Sequence, residues 1–160
     1  MSTINEYNKI WQREELIEKF QEIDATIYTA EVAISAANIV AMYTTAVEVI
    51  AAPGAGKALH FVDAVLIYDY DTAAYTGGGV ITLEYSGGAA VTTDIAAANG
   101  FGAAGDKVFS LAALNASGGY TMPVNTGIDI TNATGVFVAP TGAAGVGRLK
   151  VTYRVVTTGL

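Results

Sequence analysis

Asp63, Asp69 and Asp71 stand close in sequence to Tyr68, Tyr70 and Tyr75. Carboxylate oxygens suit calcium, and aromatic faces suit sugars. The spacing matches no EF-hand loop, so solvated carboxylates at a strand end and tyrosines at an interface are the simpler reading. His60 is the only histidine, and the chain has no cysteine. A catalytic Ser or Cys needs a base held within reach, and His60 has neither a thiol nor a nucleophile elbow to serve, which marks it as a packed or edge histidine. PGAGKA, at 53–58, looks like a phosphate-binding loop until its ends are read. That motif needs a Gly five positions before its second Gly and a Ser or Thr after the Lys, and those positions hold Ala51 and Ala58. Paired carboxylates for glycoside cleavage would need a deep cleft, for which 160 residues leave little room. No catalytic residue, cofactor or metal is expected.

The element that positions these residues is the run ALHFVDAVLIYDYD at 58–71, apolar, β-branched and aromatic, with no Gly or Pro. It reads as the central strand of a sheet. Strict alternation puts Leu59, Phe61, Val65 and Ile67 on one face and Val62, Ala64, Leu66 and Tyr68 on the other. A strand apolar on both faces needs a second layer. PGAGK precedes the run and TGGG, at 76–79, follows it, as sharp reversals would.

Charge divides the chain. Residues 1–35 hold Lys9, Arg13 and Lys19 with seven Asp or Glu, whereas the other 125 residues hold five and eight. From 3 to 23 there is no Gly or Pro, Ser2 or Thr3 is available as a cap, and Glu6 falls in the first turn. Ile4, Tyr7, Ile10, Trp11, Ile17, Phe20 and Ile23 recur at three- and four-residue steps, broadened by Leu16. This predicts an N-terminal amphipathic α-helix. Its apolar face either packs on its own subunit or projects as an anchor toward others, with Ile10, Trp11, Ile17 and Phe20 as the partner-binding residues.

Residues 25–43 admit two readings. Leu16, Phe20, Ile23, Ile27, Ala30, Ile34, Ala37 and Ala41 keep a four-three spacing that would extend the helix. TIYTAEVAIS is rich in β-branched residues, however, and Tyr28, Val32 and Ile34 alternate against Thr29 and Glu31. The preferred reading is a strand over 26–34, then a short helix AANIVAMY capped by Ser35.

Beyond Thr44 the pattern is β. Val47 and Val49 flank Glu48; Ile81, Leu83 and Tyr85 alternate with Thr82 and Glu84; Leu149, Val151, Tyr153 and Val155 alternate with Lys150, Thr152 and Arg154. Weaker strands are expected at 90–95, 107–111, 128–131 and 135–139. Eight or nine short strands with Gly-rich connections predict a mainly β fold, an antiparallel jelly-roll-like β-sandwich over 25–160 behind an N-terminal helical anchor at 1–24.

Composition narrows the function classes. The net charge of −7 and a pI near 4.5 offer no basic patch for phosphates, so no nucleic acid is expected as partner. Polar residues stand where a signal peptide would be apolar, and no run is long and apolar enough to span a membrane, so no membrane is expected either. Hydrophobic content of 52% with charged content of 14% describes a weakly charged surface suited to packing against neighbours.

Three stretches carry a resemblance: AVEVIAAPGAGKALHFVDAVLIYDYDTAAYTGGGVITLEYSGG at 46–88, MPVNTGIDITNATG at 122–135 and GVGRLKVTYRVV at 145–156. The chain from 32 to 156 resembles small structural proteins of tailed bacteriophages and prophages, of capsid-decoration or head-fibre type. The APGAGK turn, the long strand and DYDTAAYTGG at 69–78, with Asp71 an extra carboxylate, are its most specific part. The resemblance implies a virion component on a jelly-roll-like sandwich, assembled in the host bacterial cytoplasm, forming a homotrimer and binding the major capsid protein or other virion proteins. It implies no catalytic residues. The alternative within it is a head-fibre or tail-fibre module recognising a host-surface glycan through Tyr68, Tyr70 and Tyr75.

Overall fold

The structure is a computed structural model that describes residues 26–114 and 121–158. The N-terminal helix expected at 3–23 lies outside the described residues. The elements run β1 (Ile27–Ile34), α1 (Ala36–Ala41), β2 (Val47–Ile50), β3 (Lys57–Asp69), β4 (Thr76–Gly77), β5 (Ile81–Tyr85), β6 (Lys107–Ala112), β7 (Ile128–Asn132), β8 (Phe137–Val138) and β9 (Val146–Thr157). The fold is mainly β, and its strands pair antiparallel.

The two readings of 25–43 resolve in favour of a strand followed by a helix. All eight residues of β1 pair with β9, from Ile27 opposite Arg154 to Ile34 opposite Gly147. Ser35 then turns the chain: its Oγ accepts from the Asn38 backbone N–H at 3.2 Å, and the Asn38 side chain accepts from the Ser35 N–H at 3.0 Å. This reciprocal cap satisfies two donors at a helix start, and α1 drops Ile39 into the core. A helical seam would have left β9 with an unpaired edge.

Two sheets face one another across the core. One has the strand order β1-β9-β3-β6 and the other β2-β7-β5, while β4 and β8 form a separate two-stranded ribbon. The pairs are nested: β1 with β9, β2 with β7, and β3 with β6. At the innermost level, 90–95 folds back along β5 through bridges Glu84 to Ala90 and Ile81 to Ile95. That segment, expected as a strand, makes only isolated bridges.

The long strand departs from strict alternation. A bulge lies between Phe61 and Asp63, and an extra residue in one strand inverts which face the following residues occupy. Leu59 and Phe61 therefore share the buried face with Ala64, Leu66 and Tyr68, which corrects the two faces read from the sequence. The opposite face is only partly covered: Val62 and Val65 are half-buried, and Ile67 is 40% exposed. A second bulge between Glu48 and Ile50 likewise directs both Val49 and Ile50 inward.

Against β3 the three-stranded sheet presents Ile81, Leu83, Tyr85, Ile128 and Ile130, all in one buried cluster with Leu149 and Val151. The Tyr85 hydroxyl donates to the Leu59 carbonyl at 2.7 Å, tying the layers by a hydrogen bond inside apolar surroundings. One end of the sandwich is closed by aromatic rings. Phe101 meets Tyr68, Tyr75 and Phe137 edge-on at centroid distances of 5.5, 6.5 and 5.8 Å, the geometry that ring quadrupoles favour.

Candidate interaction surface

The register of the four-stranded sheet sets the side chains of its outer face in rows. One row runs Ala33, Arg148, Ile67, Val108 across β1, β9, β3 and β6; the next runs Glu31, Lys150, Val65, Ser110. Beside the first row Val146 pairs with Asp69. Ile67, Val108 and Val146 are 40%, 68% and 43% exposed. They line a cleft of about 520 Å³ together with Ala33, Ser35, Asp106, Lys107 and Arg148. Exposed apolar side chains among charges of both signs are the kind of patch that suits contact with another surface. The sequence reading missed this cleft, because Ile67 and Val108 look like core positions until the pairing shows them neighbours on the open side.

The glycan alternative named Tyr68, Tyr70 and Tyr75, and these three do not form an exposed platform. Tyr68 and Tyr75 are buried at 0% and 2% exposure. The Tyr75 hydroxyl donates to the Gly145 carbonyl at 2.8 Å; burial, with Tyr68 adding to it, pushes the phenol up to about 12. Tyr68 is also raised, by burial first and then by Tyr70 and Asp106, and its hydroxyl is buried without a hydrogen-bond partner among the described residues. The bulge explains the correction, since it sends Tyr68 inward with Leu66. Tyr70 alone stays half-exposed, its hydroxyl donating to the Thr72 carbonyl at 2.9 Å.

The aspartates are dispersed. Asp63 stands on the outer face opposite Thr152 and Ala112, whereas Asp69 and Asp71 border a smaller cleft of about 240 Å³ with Tyr70 and Val146. Among the described residues no three His, Asp or Glu side chains are placed to hold a metal ion. His60 is half-buried opposite Arg154. PGAGK is a turn: Gly54 and Gly56 have positive φ, and the Gly54 N–H donates to the Asn125 side chain at 3.0 Å. Ile10, Trp11, Ile17 and Phe20, the expected partner-binding residues, lie outside the described residues.

The outer face of the three-stranded sheet has a different character. Glu48 pairs with Asp129 and Asp129 with Glu84, so three carboxylates stand in one row across β2, β7 and β5. Burial, and then the charge of Asp129, raise the Glu84 carboxyl above its usual range.

No family model matches the chain, and no curated protein matches it. Among solved structures, a chain of the cyanophage Pam1 capsid asymmetric unit is similar to it, with a TM-score of 0.45 and 20% sequence identity over 81% of this chain and 83% of that one.

Proposed function

We propose that the protein is a bacteriophage virion structural protein that decorates the capsid, its β-domain associating with copies of itself and its N-terminal segment binding the major capsid protein. The observation that carries this is the exposed outer face of the four-stranded sheet, where Ile67, Val108 and Val146 meet Arg148 and Lys107 in one cleft. A face of that make-up suits contact with another protein surface. The resemblance of 32–156 to small phage structural proteins supplies the kind of particle. Nested pairing of β1 with β9, β2 with β7 and β3 with β6 supports reading the domain as a jelly roll, a long hairpin rolled into two layers.

The mechanism is passive. Each 100 Å² of apolar surface removed from water contributes about 2 to 3 kcal/mol, and many copies bridging neighbouring capsomers multiply the effect by avidity. Ile10, Trp11, Ile17 and Phe20 are the proposed anchors. Deleting residues 1–24 is expected to leave a folded β-domain that no longer sediments with undecorated capsids. Retained binding by the truncated chain would overturn the anchor. The fibre reading loses two of its three aromatic rings to the core.

A further inference from the structure

The outer face of the four-stranded sheet carries charges of both signs. Arg148, Lys150 and Arg154 on β9 share it with Glu31, Asp63 and Asp69, and Asp106 lines its cleft, so charge alone selects no partner. What sets this face apart is apolar surface on a diagonal. Ile27 on β1 is 54% exposed, Val65 on β3 is half-buried, and Ile67, Val108 and Val146 open the cleft at the far corner.

The segment that leads into Ile27 matches this diagonal in length and in chemistry. From the row of Ile27 and Arg154 to the row of Ala33 and Arg148 is six residues along β1, about 20 Å, and from β1 to β3 is two strand spacings, about 10 Å. The diagonal is therefore about 22 Å. A helix over 3–23, rising about 1.5 Å per residue, is about 31 Å long. Residues 24–26 suffice to reverse the chain into β1, since helix-to-strand connections take about two to six residues. Laid back over the sheet from there, the helix sets Phe20 and Ile23 near Ile27, and Ile10 and Trp11, about 18 to 20 Å before Ile23, over the cleft. A second observation stands at the near end. Arg154 Nε is buried and has no hydrogen-bond partner among the described residues, and Arg154 pairs with Ile27. Glu22 and Asp24 lie within five residues of Ile27, so the same segment brings the carboxylate that a buried guanidinium N–H needs.

We propose that residues 1–24 of the free chain lie back over the outer face of their own four-stranded sheet, with Ile10 and Trp11 in the cleft of Ile67, Val108 and Val146. Docking of this kind needs no capsid. Where the segment anchors the chain to a capsid it first leaves the cleft, and the face it uncovers is then free for a neighbouring copy.

The test uses the purified full-length chain without capsids, so its outcome is independent of capsid binding. Trp11 is the only tryptophan, and tryptophan emission therefore reports this one position. In the unmodified chain it should be blue-shifted and shielded from acrylamide. Val108→Glu, at a position 68% exposed on the edge strand β6, and Ile67→Thr each remove apolar surface from the cleft and leave the core in place. With circular dichroism showing the sheet intact, each should shift the emission to the red and raise quenching severalfold. Val138→Glu, at an exposed position on β8 outside the cleft, should change neither. Mixing identifies which copy supplies the cleft: the Trp11→Phe chain, whose cleft is intact, is added to the Val108→Glu chain, whose Trp11 stays red-shifted if each segment occupies its own sheet. An exposed Trp11 in the unmodified chain, emission that ignores both cleft variants, an equal response to Val138→Glu, or a blue shift restored in the mixture would each overturn the proposal, the last by placing the segment on a second copy.

Discussion

Tyr68 and Tyr75 are neighbours in the same aromatic cluster, yet removing their hydroxyls should have opposite effects. The Tyr75 hydroxyl donates to the Gly145 carbonyl at 2.8 Å, inside the core. Tyr75→Phe deletes that bond and leaves a buried carbonyl one partner short, a loss of about 1 to 2 kcal/mol. The Tyr68 hydroxyl is equally buried and has no partner among the described residues, so on this reading the fold carries the desolvation of a polar group with nothing in return, about 1 to 3 kcal/mol. Tyr68→Phe keeps the ring that meets Phe101 at 5.5 Å and removes that burden. It should be neutral or should stabilise the domain by about 1 kcal/mol or more. Urea denaturation followed by tyrosine fluorescence measures both variants, and an unchanged slope ensures that the midpoints report stability. If Tyr68→Phe destabilised the chain as much as Tyr75→Phe, the hydroxyl would have a partner and the assignment of this corner of the core would be wrong.

Three further outcomes follow from the same core and surface. The Tyr75 phenol is raised from 10.0 to about 12, so the folded state holds its proton more tightly than the unfolded chain. Its contribution is complete below pH 10 and is lost as pH rises through about 12; Tyr75→Phe should flatten that alkaline loss in a pH series of denaturation midpoints. Glu84, raised above 4.5 by burial and Asp129, contributes below its unfolded value, and the contribution disappears as pH rises through the folded one. Glu84→Gln should therefore stabilise the chain at neutral pH and leave it unchanged near pH 3, whereas destabilisation at neutral pH would show that the carboxylate has a favourable partner. Gly78 has φ +76, and a Cβ there would lie only 2.2 Å from the nearest carbon of the buried Phe137 ring, so Gly78→Ala should cost about 3 kcal/mol or more. Gly54, with φ +99 and nothing within 4 Å, should lose only about 1 kcal/mol as Ala; equal losses at the two positions would refute the packing argument.

Much of the architecture was legible because periodicity survives in single strands. The alternation in β5 and β9, and Ser35 ahead of a helical run, each predicted the element found there. What escaped was whatever depends on register. The bulge after Phe61 is invisible in a run whose every other residue is apolar, and it moves Ile67 out and Tyr68 in. The carboxylate row needed three strands far apart in sequence to be set side by side. Segment 90–95 looked like a strand, but Thr92 Oγ1 accepts from the Leu83 N–H at 3.2 Å, so a side chain takes a place in the ladder that backbone would otherwise hold.

The reading of this chain as a capsid decoration protein rests on binding, and the mass of the purified full-length chain by light scattering, alone and mixed with undecorated capsids, measures it. Saturable transfer of the chain into the capsid fraction, lost when residues 1–24 are deleted, is the predicted outcome. A chain that stays in the free fraction at every ratio would mean that it does not decorate capsids.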